Sequence, residues 1–429
     1  MSIICGTDLS SASGGALEVA LAIAKLRGQR EVILVHVAEP SLGANESALS
    51  SARQALEAQA QAALERPDAA GCTIRSELMV GPPDQTLVNF ADTENSNLIV
   101  VAARSTSSSL LRLGTTTSQI IARTRVPVIA VRDPAPWLAF ARREKSLRVL
   151  VGIDDSAVCD LGIQWTHGLQ AIGPVEVVLG AIYYPDDAAL HYGLHPGAVV
   201  DRDPEIERLM TRDLLRRFDI DSATPTPSVV GRARRGLGRI GDHMVELAKE
   251  EAVDVIVVGT GQKTGLGKLG SVSSLIVNDA PQSVVCVPPE AQVPTVSVPV
   301  LRSALVATDL SQFSNRAVPY AFSVVTGSSA DSEVHLVHVV KEDDEIEPGE
   351  VMRALEALTP IGAKERVTAH VVRGDDAAKA IAQAAARLGV DVICLCSHGR
   401  SGISRALVGS VADRLLRATR LPVLVLRPA

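Results

Sequence analysis

Three times in this chain a hydrophobic run ends in an aspartate with a serine close behind it. The copies are Ile3-Ile4-Cys5-Gly6-Thr7-Asp8-Leu9-Ser10, Val149-Leu150-Val151-Gly152-Ile153-Asp154-Asp155-Ser156 and Ala304-Leu305-Val306-Ala307-Thr308-Asp309-Leu310-Ser311. Their spacing is that of whole domains, about 150 residues, far beyond the periods of solenoid repeats. The chain of 429 residues therefore reads as one module present three times, over 1–135, 146–290 and 301–429.

Within each module short Val/Ile/Leu runs alternate with helical stretches. The first predicts strands at Ser2–Thr7, Glu31–Val37, Thr73–Val80, Leu98–Ala102 and Val128–Val131. The second predicts them at Arg148–Ile153, Val175–Ile182, Pro227–Val230, Val255–Val258 and Val284–Val287, and the third at Ala304–Thr308, Glu333–Val340, Val367–Val372, Val392–Leu395 and Val423–Leu426. Buried-type strands separated by helices imply an α/β fold, a doubly wound parallel sheet covered on both faces. Linkers are expected at Asp133–Lys145 and at the proline-rich Pro288–Val300. The middle module carries an extra segment, Tyr183–Val200. Its His191 and His195 have helical metal-ligand spacing, but Gly193 and Pro196 favour a surface loop packed on a neighbouring module.

Composition removes several classes of function. Aromatics are 3% of residues, too few for a surface that stacks bases, and the net charge of −7 opposes wrapping of DNA or RNA. No apolar run approaches the roughly 20 residues of a membrane span, and no cleavable leader is visible, so a soluble cytoplasmic protein is expected. Six cysteines are too few for a disulfide framework. Cys5, Cys286, Cys394 and Cys396 sit in apolar runs and read as buried reduced thiols.

The segment richest in chemistry runs Cys394-Leu395-Cys396-Ser397-His398-Gly399-Arg400-Ser401-Gly402-Ile403-Ser404-Arg405-Ala406-Leu407-Val408-Gly409-Ser410. It leaves a buried strand and opens a helix, where free N–H groups and the helix dipole favour an anion. Gly399 and Gly402 permit close backbone approach, Gly409 and Ser410 sit at the helix start, and the serines and arginines add donors. A phosphate cradle fits these residues; so does a glycine-rich turn in which Ser410 is only an N-cap.

This segment resembles the nucleotide-binding loop of universal stress proteins, G-x2-G-x9-G-[S/T] after the fourth strand. Gly399, Gly409 and Ser410 match it, and Cys396 stands at the first glycine. The resemblance extends over the whole chain in three copies. It implies three tandem domains, each a five-stranded parallel sheet in the order 3-2-1-4-5, of adenine nucleotide α-hydrolase-like type. It further implies an adenine nucleotide, ATP or AMP, bound chiefly by the third domain, and leaves a Mg²⁺ requirement open. Asp309 and backbone near Val339 would then meet adenine, Gly374 the ribose, and Ser397, His398, Gly399, Gly409 and Ser410 the phosphates. In the first module Ala102 and Ser105 replace the first two glycines and the loop is one residue short. In the second, Gly259, Lys268, Gly270 and Ser271 can hold an anion in a loop two residues short.

Three functions remain open: a nucleotide-binding regulator, an interaction scaffold of the same fold without a ligand, and a slow nucleotide hydrolase. No carboxylate in the loop orients His398 and no nucleophile lies beside a base, so enzymatic activity is the disfavoured reading. The final strands are sheet edges that need partners. The resemblance implies that such edges pair about a two-fold axis, so two modules should pair internally and the third should make a homo-oligomer with another chain.

Overall fold

The strands form where β-branched residues cluster between turn residues, and alternation along each strand fills both faces of its sheet. The computed structural model describes residues 2–40, 45–103, 114–154, 156–194, 202–218, 228–263, 268–291, 301–325, 332–344, 347–360, 363, 366–396 and 410–426. In the first repeat these are β1 (Ile3–Thr7), α1 (Ser11–Leu26), β2 (Glu31–Ala38), α2 (Glu46–Leu64), β3 (Thr73–Val80), α3 (Pro83–Thr93), β4 (Leu98–Ala102), α4 (Thr115–Arg123), β5 (Val128–Val131) and α5 (Ala135–Ala141). The second comprises β6 (Leu147–Gly152), α6 (Val158–Gln170), β7 (Val175–Tyr183), α7 (Pro185–Tyr192), α8 (Pro204–Arg217), β8 (Val229–Arg235), α9 (Ile240–Glu250), β9 (Val255–Gly259), a small hairpin of β10 (Gln262–Lys263) and β11 (Lys268–Leu269), α10 (Ser271–Asp279) and β12 (Ser283–Val287). The third has β13 (Ser303–Ala307), α11 (Ala317–Val325), β14 (Glu333–Val340), α12 (Pro348–Glu356), β15 (Val367–Arg373), α13 (Ala377–Leu388), β16 (Val392–Cys396), α14 (Ser410–Ala418) and β17 (Val423–Leu426).

Two compact bodies result, one of Met1–Tyr184 with Met210–Val296 and one of Pro185–Leu209 with Ser297–Ala429. The first holds a ten-stranded sheet, β3-β2-β1-β4-β5-β12-β9-β6-β7-β8, and the second a five-stranded sheet, β15-β14-β13-β16-β17. Each repeat thus has its strands in the order 3-2-1-4-5, as expected. The first and second repeats join through their last strands. The β5–β12 pairing is antiparallel, Val128 facing Cys286, Ile129 facing Val285 and Ala130 facing Val284. Every residue of β5 and β12 is buried. In the third repeat β17 ends its sheet, and all four of its residues remain half-exposed.

Alternation is visible in the cores. Ile3 and Cys5 enter one cluster and Ile4 the other, and likewise Ala304 and Val306 lie opposite Leu305 and Ala307. Helix ends follow local chemistry. Asn45 caps α2, its Oδ1 accepting from the N–H groups of Ser47 at 3.1 Å and Ala48 at 3.2 Å. Gly389, at φ 68°, ends α13 in the left-handed conformation that glycine adopts without steric cost.

Three expectations need correction. The proposed linker Asp133–Lys145 contains helix α5, whose Trp137 and Phe140 are each 1% exposed within the core. Gly173 leaves room for Phe140, since a Cβ there would lie 2.3 Å from its ring. The extra segment of the middle repeat begins as helix α7 and not as a loop. It packs on α13 in the second body, where the Gln383 side-chain amide donates to Leu190 O at 2.9 Å. His191 lies in the last turn of α7, His195 lies outside the described residues, and no metal-ligating cluster occurs among the described residues. Third, β8 runs through Arg232, Arg234 and Arg235 instead of stopping at Val230. The first two arginines pair with Glu251 and with Glu246 and Glu250 respectively, which makes a charged edge compatible with a strand. No described helix is long and apolar enough to cross a membrane.

Candidate functional site at the strand ends

In the third repeat β13 lies between its parallel neighbours β14 and β16, so the direction of winding reverses there, the point where doubly wound sheets place a ligand crevice outside the carboxyl ends of their strands. Asp309 follows β13 and is exposed. Its Oδ1 accepts from Ser311 N at 3.0 Å and from the Ser314 hydroxyl, an Asx turn that holds Leu310 at φ 64°. The Thr308 hydroxyl accepts from Leu310 N at 3.0 Å and donates to Asn315 Oδ1 at 2.8 Å. From the neighbouring strand His338 Nδ1 reaches Thr308 O at 2.8 Å, which makes Nδ1 the protonated nitrogen. The aspartate therefore stands on a turn braced from both sides.

Val339 packs its side chain into the cluster shared with α13, and its backbone lies beside the end of β13. Gly374 N–H donates to Val340 O at 3.0 Å, and a Cβ on Gly374 would sit 3.2 Å from that of Ala380. Asp376 then caps α13, accepting from Ala378 N at 3.0 Å and Lys379 N at 3.3 Å, while its other oxygen lies 3.2 Å from Arg414 of α14. Ser410 opens α14 and is exposed. The structure thus brings Asp309, Val339 and Gly374 to the ends of three adjacent parallel strands, with Ser410 on the helix that follows β16. Ser397, His398, Gly399 and Gly409 lie outside the described residues.

Cys396 ends β16, where the motif has glycine. Its side chain packs into the cluster on the α11 side, and burial pushes the thiol up, opposed by the Ala317 N–H and Arg316. The middle repeat shows what a glycine does at this point. A Cβ on Gly259 would meet the Val158 carbonyl at 2.8 Å, because α6 lies directly against the strand end. Residue size at this position therefore answers to the packing of the helix that follows the repeat's first strand.

The first repeat reproduces the braced turn. Asp8 Oδ1 accepts from Ser10 N at 3.0 Å, Leu9 has φ 63°, and His36 Nδ1 lies 2.9 Å from Thr7 O. Gln59 of α2 takes the place of Asn315, accepting from the Thr7 hydroxyl at 2.7 Å. Gly81, at φ 155°, binds Ala38 O as Gly374 binds Val340 O. The loop 104–113 lies outside the described residues.

The middle repeat is built differently. Ile153 stands in place of the threonine, and Cys159 stands where Ser13 and Ser314 stand. The Cys159 thiol donates to Asp154 Oδ1 at 2.8 Å. Arg217 of α8 donates to Asp154 O, to Ser156 O at 2.8 Å and to Asp160 Oδ1 at 2.7 Å. Burial raises Asp154, but the bonds from Cys159 and Ser156 and the charge of Arg217 outweigh it and leave the carboxyl below its ordinary value. Gly236, unmarked in the sequence reading, occupies the Gly374 position, its N–H donating to Tyr183 O at 2.8 Å. The braces contributed by Thr7, His36, Thr308 and His338 were also missed. Their signal was present as Val35-His36-Val37 and Val337-His338-Val339, which follow Thr7 and Thr308 at offsets of 29 and 30 residues to the histidine.

All six cysteines are free. Burial raises Cys5, Cys286, Cys394 and Cys159, the last two to about 11, whereas Cys72 and Cys396 are only half-buried. Thiolate is the reactive form, so an aromatic disulfide reagent at pH 8 should label at most Cys72 and Cys396 in the native protein and all six after denaturation. Rapid native labelling of a third thiol would show that the strands open more readily than their burial implies.

Comparison with known proteins agrees with this architecture. The model of the Universal stress protein family matches residues 1–132, 146–288 and 301–427. A universal stress protein of Mycobacterium tuberculosis strain H37Rv is 30% identical over 198 residues, 43% of this chain and 64% of that protein, so the match spans less than two thirds of its length. A second from the same strain is 27% identical over 297 residues, 66% of this chain and 97% of its own. A universal stress protein of Archaeoglobus fulgidus shares the fold with a TM-score of 0.50 and 18% identity, covering 66% of this chain and 97% of its own. With three braced or modified copies of one αβ module and a family match to each, the chain belongs to the universal stress protein family.

Proposed function

We propose that this chain is a cytoplasmic stress regulator that binds an adenine nucleotide, ATP or AMP, through its third repeat. The observation that supports the third copy over the second is the contrast at the aspartate. Both aspartates are exposed and each accepts a bond from the side chain five residues on, Ser314 or Cys159, but the Asp154 turn is also tied down by Arg217, which donates to Asp154 O and Ser156 O. The first copy keeps the braced turn but has lost the glycines of its loop. In the third repeat the base lies against Asp309 and the backbone at Val339, and the ribose against Gly374. The phosphates lie at Ser397, His398, Gly399, Gly409 and Ser410, where N–H groups at the start of α14 favour negative charge. Freshly purified protein is expected to release nucleotide on acid treatment, identifiable by mass spectrometry, and to bind added ATP in calorimetry. Absence of both would refute the reading. A ligand-free scaffold role is favoured for the middle repeat alone, by the Arg217 contacts.

We also propose a homodimer of chains formed by β17. The two equivalent strands, β5 and β12, are buried against each other, and β17 is the copy left half-exposed.

A further inference from the structure

Two histidines of the third repeat play no part in the proposed site. His335 of β14 is 8% exposed, and its Nδ1 lies 3.2 Å from His370 Nε2 on β15. Their ring centroids are 5.3 Å apart at 45°. Ladder partners are His335 with Thr368 and Val337 with His370, so the imidazoles meet diagonally. Alternation places them on the same face as Val337 and Val339, the face covered by α13. The surrounding charges are mixed. Glu333 Oε2 lies 3.6 Å from His335 Nε2 on β14. Arg387 of α13 acts on His370, Lys379 lies in the first turn of α13, and Arg366 at the foot of β15 reaches the Ser332 hydroxyl at 3.4 Å.

An imidazole pair of this kind holds together with one or two ring protons too few to fill every nitrogen. Neutral rings share one N–H···N bond, and a singly charged pair keeps it with a charged donor. A second proton puts hydrogen on both facing nitrogens, so the bond becomes a contact between two cations. Glu333 balances one of them, and Arg387 adds repulsion. We propose that the His335–His370 pair is an acid-responsive latch that holds β15 to β14 at neutral pH and releases it when both rings are protonated. The released strand is the outermost of its sheet, paired with a single neighbouring strand, and its opening is therefore local. Both strands end in the crevice, β14 at Val339 and Val340 and β15 just before Gly374, so the latch regulates the third repeat's site. That last consequence rests on the nucleotide-binding reading; the latch itself does not.

The direction with pH follows from the environment of His370. Burial, then His335 and Arg387, push it below the ordinary histidine value. In the window below about 6.5 the unfolded chain binds more protons than the folded one. Stability is intact above that value and is lost as the pH falls from it through the depressed folded value.

Hydrogen exchange of the full chain without nucleotide, corrected for the intrinsic pH dependence of exchange, tests the latch. Between pH 7 and pH 5.5 protection of 333–340 and 367–373 should fall severalfold, within the roughly eightfold that one titrating histidine allows over this window, while β13 and β16 keep theirs. The variant His370→Gln should show no such fall. Unchanged protection in the native chain, or an equal fall in His370→Gln, would overturn the proposal. Should that variant fold poorly, histidine NMR titration of the native chain decides, with two separated steps expected, the lower one below the ordinary histidine value. Two independent titrations at the ordinary histidine value would overturn it. Both measurements are made without nucleotide, so their outcome is separate from whether the third repeat binds one.

Discussion

Leu424→Arg should convert a dimer of chains into monomers at micromolar concentration in analytical ultracentrifugation. The expectation comes from the register of the internal pairing. Strand pairing to the preceding parallel neighbour aligns the last strands of the three repeats, since Ile99 faces Val128, Ile256 faces Val284 and Ile393 faces Val423. Ile129, Val285 and Leu424 are therefore equivalent. In the β5–β12 ladder Ile129 faces Val285, so the pseudo-two-fold axis passes through this position. Two copies of β17 paired in the same way put Leu424 opposite Leu424 of the second chain, and Val423 opposite Val425. An arginine at that point places two like charges face to face across an antiparallel pair, which is unfavourable. Because Leu424 also packs on the third repeat's own core, a gain-of-contact variant accompanies the loss. Facing Cα atoms of an antiparallel pair are about 4.5–5.5 Å apart, within the range a disulfide spans. Leu424→Cys should therefore cross-link chains under mild oxidation, and Val423→Cys far less. Equal cross-linking by both variants, or none by Leu424→Cys, would show that β17 is not the axis.

Trp137→Ala should destabilise the first body by about 3–5 kcal/mol, the cost of a large buried side chain lost with its cavity unfilled. Trp137 is 1% exposed on α5, which packs on α1, and Phe140 one turn on fills the space left by Gly173. The carboxyl end of this segment is fixed as well, by Arg142 to Asp68 at 2.5 Å and Lys145 to Asp254 at 3.2 Å. These exposed ion pairs contribute little beside the aromatic burial. A calorimetric scan should show the transition of the body holding the first two repeats lowered by roughly 10 °C, at 2–4 °C per kcal/mol. The transition of the body holding the third repeat should stay in place. A shift of only a degree or two would mean that α5 behaves as the linker its sequence suggests.

That helix illustrates why parts of the fold were hard to read. Asp133-Pro134-Ala135-Pro136 and the charged run Arg142-Arg143-Glu144-Lys145 carry linker composition, yet Trp137 and Phe140 lie three residues apart, as one apolar helical face requires. The strands were legible almost to the residue because buried parallel strands need continuous β-branched runs, and little else in a short chain segment produces them. The 3-2-1-4-5 order came with the family resemblance, since composition fixes strands and not their sequence in a sheet. The site was legible as motif residues, Asp309 and Gly374 among them, because each ends a strand that is itself legible. Its braces were not. His338 acts on Thr308 through a strand pairing 30 residues away, and Arg217 acts on Asp154 across 63, so neither contact leaves a local pattern. Gly236 was hidden by neighbours, Gly231, Gly238 and Gly241, that supply equally plausible turns.

The uneven repair of three copies is the substance of the proposal, and nucleotide stoichiometry tests it most directly. Calorimetric titration of the full chain with ATP should give one site per chain. Gly409→Val should remove that site, with affinity reduced a hundredfold or more, on the order of 3 kcal/mol. The equivalent changes in the other repeats, Gly114→Val and Gly270→Val, should leave it unchanged. Three sites per chain, or a single site that survives Gly409→Val and is lost with Gly270→Val, would contradict the assignment of binding to the third repeat.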